Sequence, residues 1–334
     1  MTESSVHATV AILTFHRPAQ VRETVQLVHD QVIAAPPWCA LEVLVVDNDP
    51  SGSGRDAVAA LGLPDVRCVI EPVPGISAGR NRALDEVSAS GGDLLLFIDD
   101  DGTPAPGWLE RMLERWRETD AAAVAGWVDT RYRTRPSPWI RAGGFFERRR
   151  FADGAERPAA ACGNLLLDLR QLGDLRFNTA LGLSGGEDTL LTRTLVARGG
   201  RIVFARDAVV VDQVATDRVT RRWVLARQLS HGNTAGLLDL HFGSGPLTRM
   251  RVLAGGGGRV AVGLARAGWG AVTRDLRTDA RGWRLAARGA GMALAGLGLS
   301  WNEYARTVRP LSRLVRAPRS LAPGSFSRGE ASAR

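Results

Sequence analysis

The sequence predicts an α/β fold whose sheet is mostly parallel and covered by helices on both faces. Short apolar runs alternate with segments of helical periodicity through the first two thirds of the chain, which is typical of βαβ units. The runs are continuously apolar, as in strands that are buried on both faces. Several of them end in charged or polar residues, at the sheet edge where open α/β folds hold their ligands.

The predicted elements follow one another in a regular order. Apolar runs predict strands over 8–15, 41–46, 66–70, 94–101, 124–130 and 201–211. Helical patterns occupy 18–31, 55–61, 75–87, 108–118 and 189–198, and a further helix begins at 223. The segment 131–157 is rich in Arg, Pro, Gly and aromatic residues. It has no clean periodicity, and we expect it to be a surface loop or an edge hairpin.

The chain of 334 residues carries a net charge of +8, but the charge is unevenly distributed. Between residues 241 and 334 there are sixteen Arg and four acidic residues, a balance of +12. The first 240 residues hold the other 27 basic and 31 acidic residues, a balance of −4. The three Cys residues show no paired metal-binding spacing and are typical of reduced thiols in a cytosolic protein. No signal peptide is recognisable over 1–10.

We expect three parts: an α/β domain over 1–242, a basic helical extension over 243–318 and a disordered tail over 319–334. The apolar stretches of the extension are interrupted by Arg or shorter than the ~20 residues that a spanning helix needs. Such segments lie in the membrane interface and bind anionic lipid. The extension is therefore predicted to contact the inner face of the plasma membrane. The alternative is a helical subdomain packed on the α/β core.

Three consecutive carboxylates follow the most apolar of the predicted strands. Asp99, Asp100 and Asp101 come directly after Leu-Leu-Leu-Phe-Ile. Because side chains alternate along an extended backbone, Asp99 and Asp101 are expected to point the same way. Two carboxylates aimed at one spot suit a hard cation such as Mg²⁺ or Mn²⁺, which usually bridges to substrate phosphates. The alternative is a solvated acidic turn before a helix.

The chain resembles the family 2 glycosyltransferases, which are inverting, sugar-nucleotide-dependent enzymes of the GT-A fold. The resemblance covers residues 6 to 235 and is carried by six ordered motifs. They are Thr-Phe-His-Arg-Pro at 14–18, Val-Val-Asp-Asn at 45–48, Gly-Ile-Ser-Ala-Gly-Arg-Asn-Arg-Ala at 75–83, Asp-Asp-Asp at 99–101, Gly-Asn at 163–164 and Gly-Gly-Glu-Asp at 185–188. Within the family it is most similar to bacterial transferases that build exopolysaccharide or other surface glycans.

The resemblance implies a nucleotide-sugar donor, UDP-linked, with Mg²⁺ or Mn²⁺ as cofactor. Asp99 and Asp101 are expected to bind the metal. Asp212 stands where many GT-A enzymes have a further metal ligand and is expected to bind it as well. Donor binding falls to Thr14, Arg17, Asp47, Asn48, Arg80, Asn81, Asp99 and Asp100. For Asp47 the alternative is capping of a helix N-terminus, and for the arginines of the 75–83 motif it is a solvated helix face.

The resemblance also assigns the chemistry to a second acidic centre. Asp188 is the base that takes the proton of the acceptor hydroxyl, and Glu187 orients the acceptor or the base. Gly186, Asn164 and Trp223 are expected to contact the acceptor, a glycan or lipid-linked saccharide. The alternative for the acidic pair is a helix N-terminus with favourable acids. The Gln-x-x-Arg-Trp signature of processive synthases is absent in that form, which favours transfer of a single sugar.

Two rival functions remain to be separated from this one. A nucleotidyltransferase of α/β fold also combines a nucleotide-binding sheet with acidic metal ligands. It typically has a Gly-rich loop after the first strand, where this chain has Thr-Phe-His-Arg-Pro. A nucleic-acid-binding protein with a basic tail would leave both acidic centres unexplained, and we expect no nucleic-acid partner.

Overall fold

The computed structural model describes residues 6–243, 245–303 and 313–318. The chain divides into two compact units. The first consists of Met1–Arg131, Glu147–Gly182 and Glu187–Val214, and the second of Tyr132–Phe146, Leu183–Gly186 and Ala215–Arg334. The long final segment of the second unit begins at Ala215, earlier than the boundary expected at 243. The segment 319–334, predicted to be disordered, lies outside the described residues.

An eight-stranded sheet forms the centre of the first unit, in the order β3-β2-β1-β4-β7-β6-β8-β5. Its strands are β1 (Val6–Thr14), β2 (Cys39–Asp47), β3 (Val66–Ile70), β4 (Leu94–Asp99), β5 (Gly102–Pro104), β6 (Ala123–Tyr132), β7 (Asn164–Asp168) and β8 (Ile202–Val214). Strands β3, β2, β1 and β4 are parallel. The β4–β7, β6–β7 and β5–β8 pairs are antiparallel.

The helices of the described residues fall in both units. They are α1 (Pro18–Ile33), α2 (Ser53–Ala59), α3 (Ile76–Ala89), α4 (Trp108–Thr119), α5 (Pro138–Gly143), α6 (Leu169–Leu172), α7 (Glu187–Ala197), α8 (Arg221–Phe242), α9 (Gly245–Thr273) and α10 (Leu276–Gly296). Helix α5 falls within the segment that was predicted to be a loop or hairpin. That segment therefore contains one helical turn that its irregular composition concealed.

The sheet of the first unit separates two apolar cores. On one face, α1 and α4 bury Val25, Trp108 and Met112 against β1, β2 and β4. On the other face, α3 and α7 bury Leu84 and Leu191 against the same sheet. The continuous apolar runs of β1, β2 and β4 are explained by this arrangement, because strands covered on both faces have no solvent side.

Helix α4 is fixed to β7 by two tryptophans as well as by apolar packing. The indole Nε1 of Trp108 donates to Asn164 Oδ1 at 2.8 Å, and that of Trp116 donates to Asp168 Oδ2 at 3.1 Å. Asn164 and Asp168 are four residues apart on β7, so their side chains lie on one face of the strand. Buried indole N–H groups need such partners, and β7 supplies one at each end.

The second unit is built on three helices that approach one another closely. Helix α10 packs between α8 and α9, and glycines line both contacts. A Cβ at Gly263 would lie 2.5 Å from Ala286 N, and one at Gly232 would lie 1.9 Å from Arg288 O. A hairpin of β9 (Leu299–Trp301) and β10 (Leu314–Arg316) follows. Within the part of the chain that the structure describes, no helix is both long and apolar enough to cross a membrane.

Candidate functional site

The candidate site lies in the first unit, where three parallel strands end side by side. In the register of the sheet, Thr14 on β1 pairs with Asp47 on β2, and Leu13 pairs with Asp99 on β4. The predicted strand over 94–101 is shorter than expected. It ends at Asp99, and the chain turns through Asp100 and Asp101 before β5 begins at Gly102. The alternation rule therefore does not extend from Asp99 to Asp101.

The carboxylate of Asp47 caps α2. Its Oδ2 accepts hydrogen bonds from the backbone N–H groups of Gly54 and Arg55 at 2.7 and 2.9 Å, and its Oδ1 accepts one from Asp49 at 3.0 Å. The residue has no exposed surface. Asp47 thus has the helix-capping role that was its alternative, and its contact with the donor stays a prediction.

Asn48 and Asn81 hold loops in place with both ends of their amides. Asn48 donates to the carbonyls of Glu71 and Val73 and accepts from Gly75 N–H at 2.9 Å. Asn81 donates to and accepts from the backbone of Phe177, at 2.9 and 2.8 Å. Direct donor contacts were predicted for both residues. In the structure Asn48 positions the segment that leads into α3, and Asn81 ties α3 to the segment around Phe177. Their donor contacts stay predictions.

Asp100 is turned away from solvent and pairs with residues that follow β1. Its Oδ2 accepts from Thr14 Oγ1 at 2.9 Å, and its Oδ1 accepts from Arg17 Nη1 at 2.8 Å. Burial raises the pKa of Asp100 to about 6, although Arg17 opposes the shift. Thr14 and Asp100 are both buried. Asp100, bonded to Thr14, holds Arg17 in place, and the donor contacts of Thr14 and Asp100 stay predictions.

Arg17 joins the two last carboxylates of the triple-Asp motif. The same Nη1 that bonds to Asp100 also donates to Asp101 Oδ2 at 3.0 Å. The Arg17 side chain is 36% exposed, whereas that of Asp101 is 23% exposed. Arg17 therefore remains accessible to an anionic ligand, and its positive charge keeps the neighbouring carboxylates together.

Asp99 is exposed to solvent. Its carboxylate requires a glycine at 163, because a Cβ there would lie 2.7 Å from Asp99 Oδ2. Loss of hydration raises the pKa of Asp99, Arg80 opposes this, and Asp101 adds to it. Arg148 and Asp212 also act on this carboxyl. A group of mutually repelling acids is thus concentrated at the end of β4.

Asp212 reaches the same place from the opposite edge of the sheet. It lies on β8 directly across from Gly102 of β5, the residue after Asp101. Its Oδ2 accepts a hydrogen bond from Arg148 Nη2 at 2.9 Å. The sequence alone left its alignment uncertain by a residue or two. Strand pairing now brings Asp212 to the end of the triple-Asp motif.

Arg80 and Glu187 form a buried ion pair. Their side chains are 5% and 4% exposed, respectively. Phe177 lies against the guanidinium group, with its ring centroid 5.6 Å from Arg80 Cζ. Burial opposes the charge of Arg80, but Glu187, Asp188 and Asp99 act on it in the other direction and its pKa is raised. Arg80 therefore connects α3 with the second acidic centre, and its contact with the donor stays a prediction.

Glu187 is the first residue of α7, and one of its oxygens has no partner. Oε1 is bonded to Arg80, whereas the buried Oε2 lacks a hydrogen bond within the described structure. Burial is the largest influence on the pKa of Glu187 and raises it, Arg80 opposes the shift, and Asp188 adds to it. An unsatisfied buried oxygen costs free energy, so this atom is suited to accept a hydrogen bond from a substrate.

Asp188 is only partly buried and bonds locally. Its Oδ1 accepts from the backbone N–H and the hydroxyl of Thr189, at 2.5 and 3.1 Å. The preceding glycines, Gly185 and Gly186, have φ angles of +81° and +94°, which a residue with a side chain rarely adopts. A Cβ at Gly186 would also lie 2.2 Å from Thr234 Cγ2.

Two of the residues predicted to bind the acceptor have structural partners. The Asn164 amide accepts from Trp108 and donates to the carbonyls of Trp127 and Ala208, and the residue is 2% exposed. These three hydrogen bonds serve the fold, and the acceptor contact of Asn164 stays a prediction. Trp223 lies in the second unit, where its ring stacks on Phe146 at 5.8 Å with an interplanar angle of 7°.

Sequence reasoning missed Arg148 and Cys162. Arg148 sits in the irregular segment after α5, where no pattern pointed to Asp212. Cys162 is buried, and burial raises the pKa of its thiol well above the usual value, so it is an unreactive neighbour of Arg80. Its only signal was its position just before the Gly163-Asn164 motif.

No three His, Cys, Asp or Glu side chains of the described residues are gathered tightly enough to hold a metal ion. Asp101 and Asp212 are instead paired with Arg17 and Arg148. The donor set nevertheless fits a hard cation, because Asp99, Asp101 and Asp212 offer only carboxylate oxygens. Burial, and to a smaller extent the charges of Asp101 and Asp212, raise the pKa of Asp99. A divalent cation would neutralise this accumulated negative charge.

The fold and the acidic strand ends define a glycosyltransferase of the GT-A class. The sequence pattern described as glycosyl transferase family 2 matches residues 9–171. The chain is 36% identical, over 243 residues, to the succinoglycan biosynthesis protein ExoM of Rhizobium meliloti (strain 1021), covering 71% of this chain and 77% of ExoM. The chain therefore belongs to glycosyl transferase family 2. The predictions of family, fold class and glycosyltransferase activity are confirmed, and the nucleotidyltransferase rival is set aside.

Two solved structures share the fold. A mannosyltransferase, PcManGT from Pyrobaculum calidifontis in complex with GDP-Man and Mn²⁺, gives a TM-score of 0.57 at 19% identity, covering 87% of this chain and 86% of that chain. GalNAc-T7 with UDP, GalNAc and Mn²⁺ gives a TM-score of 0.50 at 14% identity, covering 70% of this chain. The match spans about half of the GalNAc-T7 chain, 48%.

Proposed function

We propose that the protein transfers a single sugar from a UDP-linked donor to a glycan or lipid-linked acceptor, with Mn²⁺ or Mg²⁺ as cofactor. The observation that carries this proposal is the grouping of Asp99, Glu187 and Asp188 around the buried guanidinium of Arg80. It joins the acids at the end of β4 to the acids that begin α7. An inverting transfer needs both, one set for the leaving diphosphate and one for the acceptor hydroxyl.

In this proposal Asp99, Asp101 and Asp212 hold the cation. When bound, the cation neutralises charge on the diphosphate leaving group. Arg17 and Arg148 currently bond to Asp101 and Asp212. With a cation bound there, the partly exposed guanidinium group of Arg17 would be available to the phosphate oxygens, which arginine binds well. Asp100, held by Thr14, keeps Arg17 within reach of that position.

Asp188 is the proposed base, and Glu187 positions the acceptor. Asp188 retains exposed surface, whereas Glu187 is buried and its Oε1 is occupied by Arg80. The free Oε2 of Glu187 can accept a hydrogen bond from a second acceptor hydroxyl. Proton removal from the attacking hydroxyl is then left to Asp188. Gly186 and Trp223 stay predictions for acceptor binding.

The decisive experiment measures binding and use of the donor without requiring that the acceptor be known. The purified protein is incubated with a panel of nucleotide sugars in the presence of Mn²⁺, and thermal stabilisation and slow hydrolysis of the donor are measured. We expect one UDP-sugar to stabilise the protein and to be hydrolysed, and EDTA to abolish both effects. Equal, EDTA-insensitive stabilisation by every nucleotide sugar would contradict the proposal.

We also propose that the second unit binds the anionic inner face of the plasma membrane through α9. Helix α9 contains four Arg and no acidic residue, and it buries little beyond glycines and alanines. Its large apolar side chains point outward: Met250 is 65% exposed, Trp269 67% and Val272 80%. An exposed apolar face flanked by Arg is the pattern of a helix that lies in the membrane interface.

The apolar residues of this face form one continuous stripe along α9. Leu247, Met250, Ala254, Ala261, Ala265 and Val272 follow the three- and four-residue spacing of one helical stripe. Arg259 and Arg266 are two turns apart on one flank of the helix. The opposite side, with Gly256, Gly263 and Gly270, packs on α10. Anionic lipid headgroups would contact the arginines on the flank, and acyl chains would bury the apolar stripe.

Vesicle flotation tests the proposed membrane contact with the full chain. Glu is introduced at Met250 or Val272, and Ile33→Glu, at a residue of α1 that is 71% exposed, is the matched control. Burying one such side chain is worth about 2 kcal/mol, so each α9 variant is expected to bind anionic vesicles at least about tenfold more weakly. The control should bind like the unaltered chain. Equal binding by all three variants would contradict the proposal.

A further inference from the structure

A basic cavity of about 160 Å³ lies in the first unit beside the candidate cation site. Its walls come from β6, from the start of β7 and from the segment that precedes β7. They include Trp127, Arg148, Arg149, Phe151, Arg157 and Asn164. A water molecule occupies about 30 Å³ in the liquid, so the cavity has room for a sugar ring and is too large for a single ion.

The charged side chains that line the cavity are all positive. Arg148 is neutralised by Asp212, but Arg149 and Arg157 form no ion pair within the described residues. Both guanidinium groups lie over the ring of Phe151, at 5.2 and 3.4 Å from its centroid. Burial and the charge of Arg149 lower the pKa of Arg157. Two like charges thus share one aromatic ring without a counter-anion.

The walls contain two further polar side chains: Asn164, whose amide is already bonded within the protein, and Trp127, which is a donor. The indole Nε1 of Trp127 is buried and has no hydrogen-bond partner within the described structure. Its ring is covered by Arg150, whose Cζ lies 4.5 Å from the centroid. Arg and Trp side chains donate hydrogen bonds and cannot accept them. The complementary ligand must therefore supply acceptor oxygens, and a negative charge would satisfy the two arginines.

The cavity is connected to the candidate site through two of its walls. Arg148 lines the cavity and bonds to Asp212. Asn164 lines it as well and directly follows Gly163, which faces the carboxylate of Asp99. A group bound in the cavity would consequently belong to a substrate held beside Asp99. The phosphates of the donor already have the cation and Arg17, so the occupant is assigned to the acceptor.

We propose that this cavity binds an acidic sugar of the acceptor, with its negatively charged group held by Arg149 and Arg157. The rings of Phe151 and Trp127 then pack against the apolar face of the sugar, and Trp127 Nε1 donates to one of its oxygens. The assignment of the sugar to the acceptor rests on the proposed glycosyl transfer. The test of binding is independent of it, because binding is measured without donor or cation.

The experiment compares three small probes by calorimetry or ligand-observed NMR. Methyl β-glucuronide carries a carboxylate, glucose 6-phosphate carries a phosphate, and methyl β-glucoside is neutral. At least one acidic probe is expected to bind about tenfold more tightly than the neutral one, because charge-assisted hydrogen bonds are the stronger ones. The tighter of the two acidic probes identifies the charged group. Equal binding of the acidic and neutral probes would overturn the proposal.

Variants locate the binding to this cavity. Arg149→Gln and Arg157→Gln are each expected to weaken the acidic probe about tenfold, the loss of one hydrogen bond to a charged group. Arg198→Gln is the matched control, because Arg198 is half-exposed and pairs with Asp174 outside the cavity. Circular dichroism melting confirms folding of each variant. Unchanged affinity for the acidic probe in both cavity variants would overturn the assignment. It would also be overturned if these variants lost UDP–Mn²⁺ binding but still bound the probe.

Discussion

Arg80 on α3 and Glu187 on α7 are 107 residues apart in the sequence and form a buried ion pair. The pair fixes the first turn of α7, and therefore Asp188, relative to the loop that enters α3. Such a pair need not add stability over apolar residues, but breaking it leaves an uncompensated charge. The ion pair instead serves to hold one carboxylate of the second acidic centre in place.

Removal of one partner is expected to destabilise the fold strongly. Arg80→Met should lower the free energy of unfolding by about 3–5 kcal/mol, because Glu187 is left buried beside Asp188 without a cation. The double variant Arg80→Met/Glu187→Met should recover much of this loss. Urea unfolding of both single variants and of the double variant measures the coupling. Additive effects would show that the pair is not energetically linked.

The sequence predicted where the site lies better than it predicted which residues are free to act. Strand ends at Asp47 and Asp99 follow from apolar runs and turn residues, and parallel pairing brings them to one edge. Whether a polar residue faces a ligand depends on what else needs its hydrogen bonds. Backbone N–H groups of α2 use Asp47, and Trp108 uses Asn164, and neither partner is visible in the local pattern.

Long-range pairing is the part of the site that spacing did not reveal. Asp212 joins the acidic strand end only because β8 pairs with the three-residue β5. Arg148 meets Asp212 across 64 residues of sequence. The cavity arginines lie in an irregular segment with no period to read. Resemblance to a family supplied the acidic motifs, whereas these contacts required the three-dimensional arrangement.

Asp101 is predicted to be required for the cation. Asp101→Asn keeps the size of the side chain and its hydrogen bond with Arg17, but it removes the charge. Loss of an outer partner of a metal site typically costs about 10–100-fold in affinity, so loss of a ligand should cost at least as much. Calorimetry with Mn²⁺ and UDP measures this, with Asp207→Asn on exposed β8 surface as control. Unchanged affinity in Asp101→Asn would remove the residue from the site.

As the pH is lowered, cation binding is expected to weaken at a higher pH than it would if the carboxyl groups had their usual pKa values. The pKa of Asp99 is raised by burial and that of Asp100 is raised to about 6 by the same cause. A pKa of about 6 means that Asp100 takes up a proton already as the pH falls through 6, and this proton opposes the cation. Mn²⁺ affinity, measured without nucleotide, should be constant above pH 7 and fall about tenfold per unit below 6 for one proton displaced.

The comparison variant for this titration is Asp100→Asn. It cannot take up the proton at position 100, so its Mn²⁺ affinity should depend less steeply on pH between 7 and 5. Asp99 still titrates in this variant, and some dependence should persist. An affinity in the unaltered protein that stays constant down to pH 5 would show that neither carboxyl governs cation binding.

Asp188 is predicted to be the base of the transfer reaction. It belongs to the second acidic centre, retains exposed surface and follows two glycines in the left-handed region. Glu187 is the weaker candidate, because it is buried and bonded to Arg80. Asp188→Asn preserves the size of the side chain and its hydrogen bonds to Thr189, but it removes basicity. A positioned base contributes about 10²–10⁴-fold to the rate, and turnover should fall by that factor.

Donor affinity distinguishes a base from a structural residue at position 188. The donor is expected to be held by the cation, Asp99 and Arg17, so Asp188→Asn should bind UDP–Mn²⁺ like the unaltered protein. Glu187→Gln is the neighbouring comparison. Because it removes the charge that pairs with Arg80, its folding is checked first by urea unfolding. The folded variant should raise the KM for the acceptor more than it lowers kcat, because it alters positioning. Transfer at the unaltered rate in Asp188→Asn would exclude the base, and loss of donor binding would assign Asp188 to the structure of the site instead.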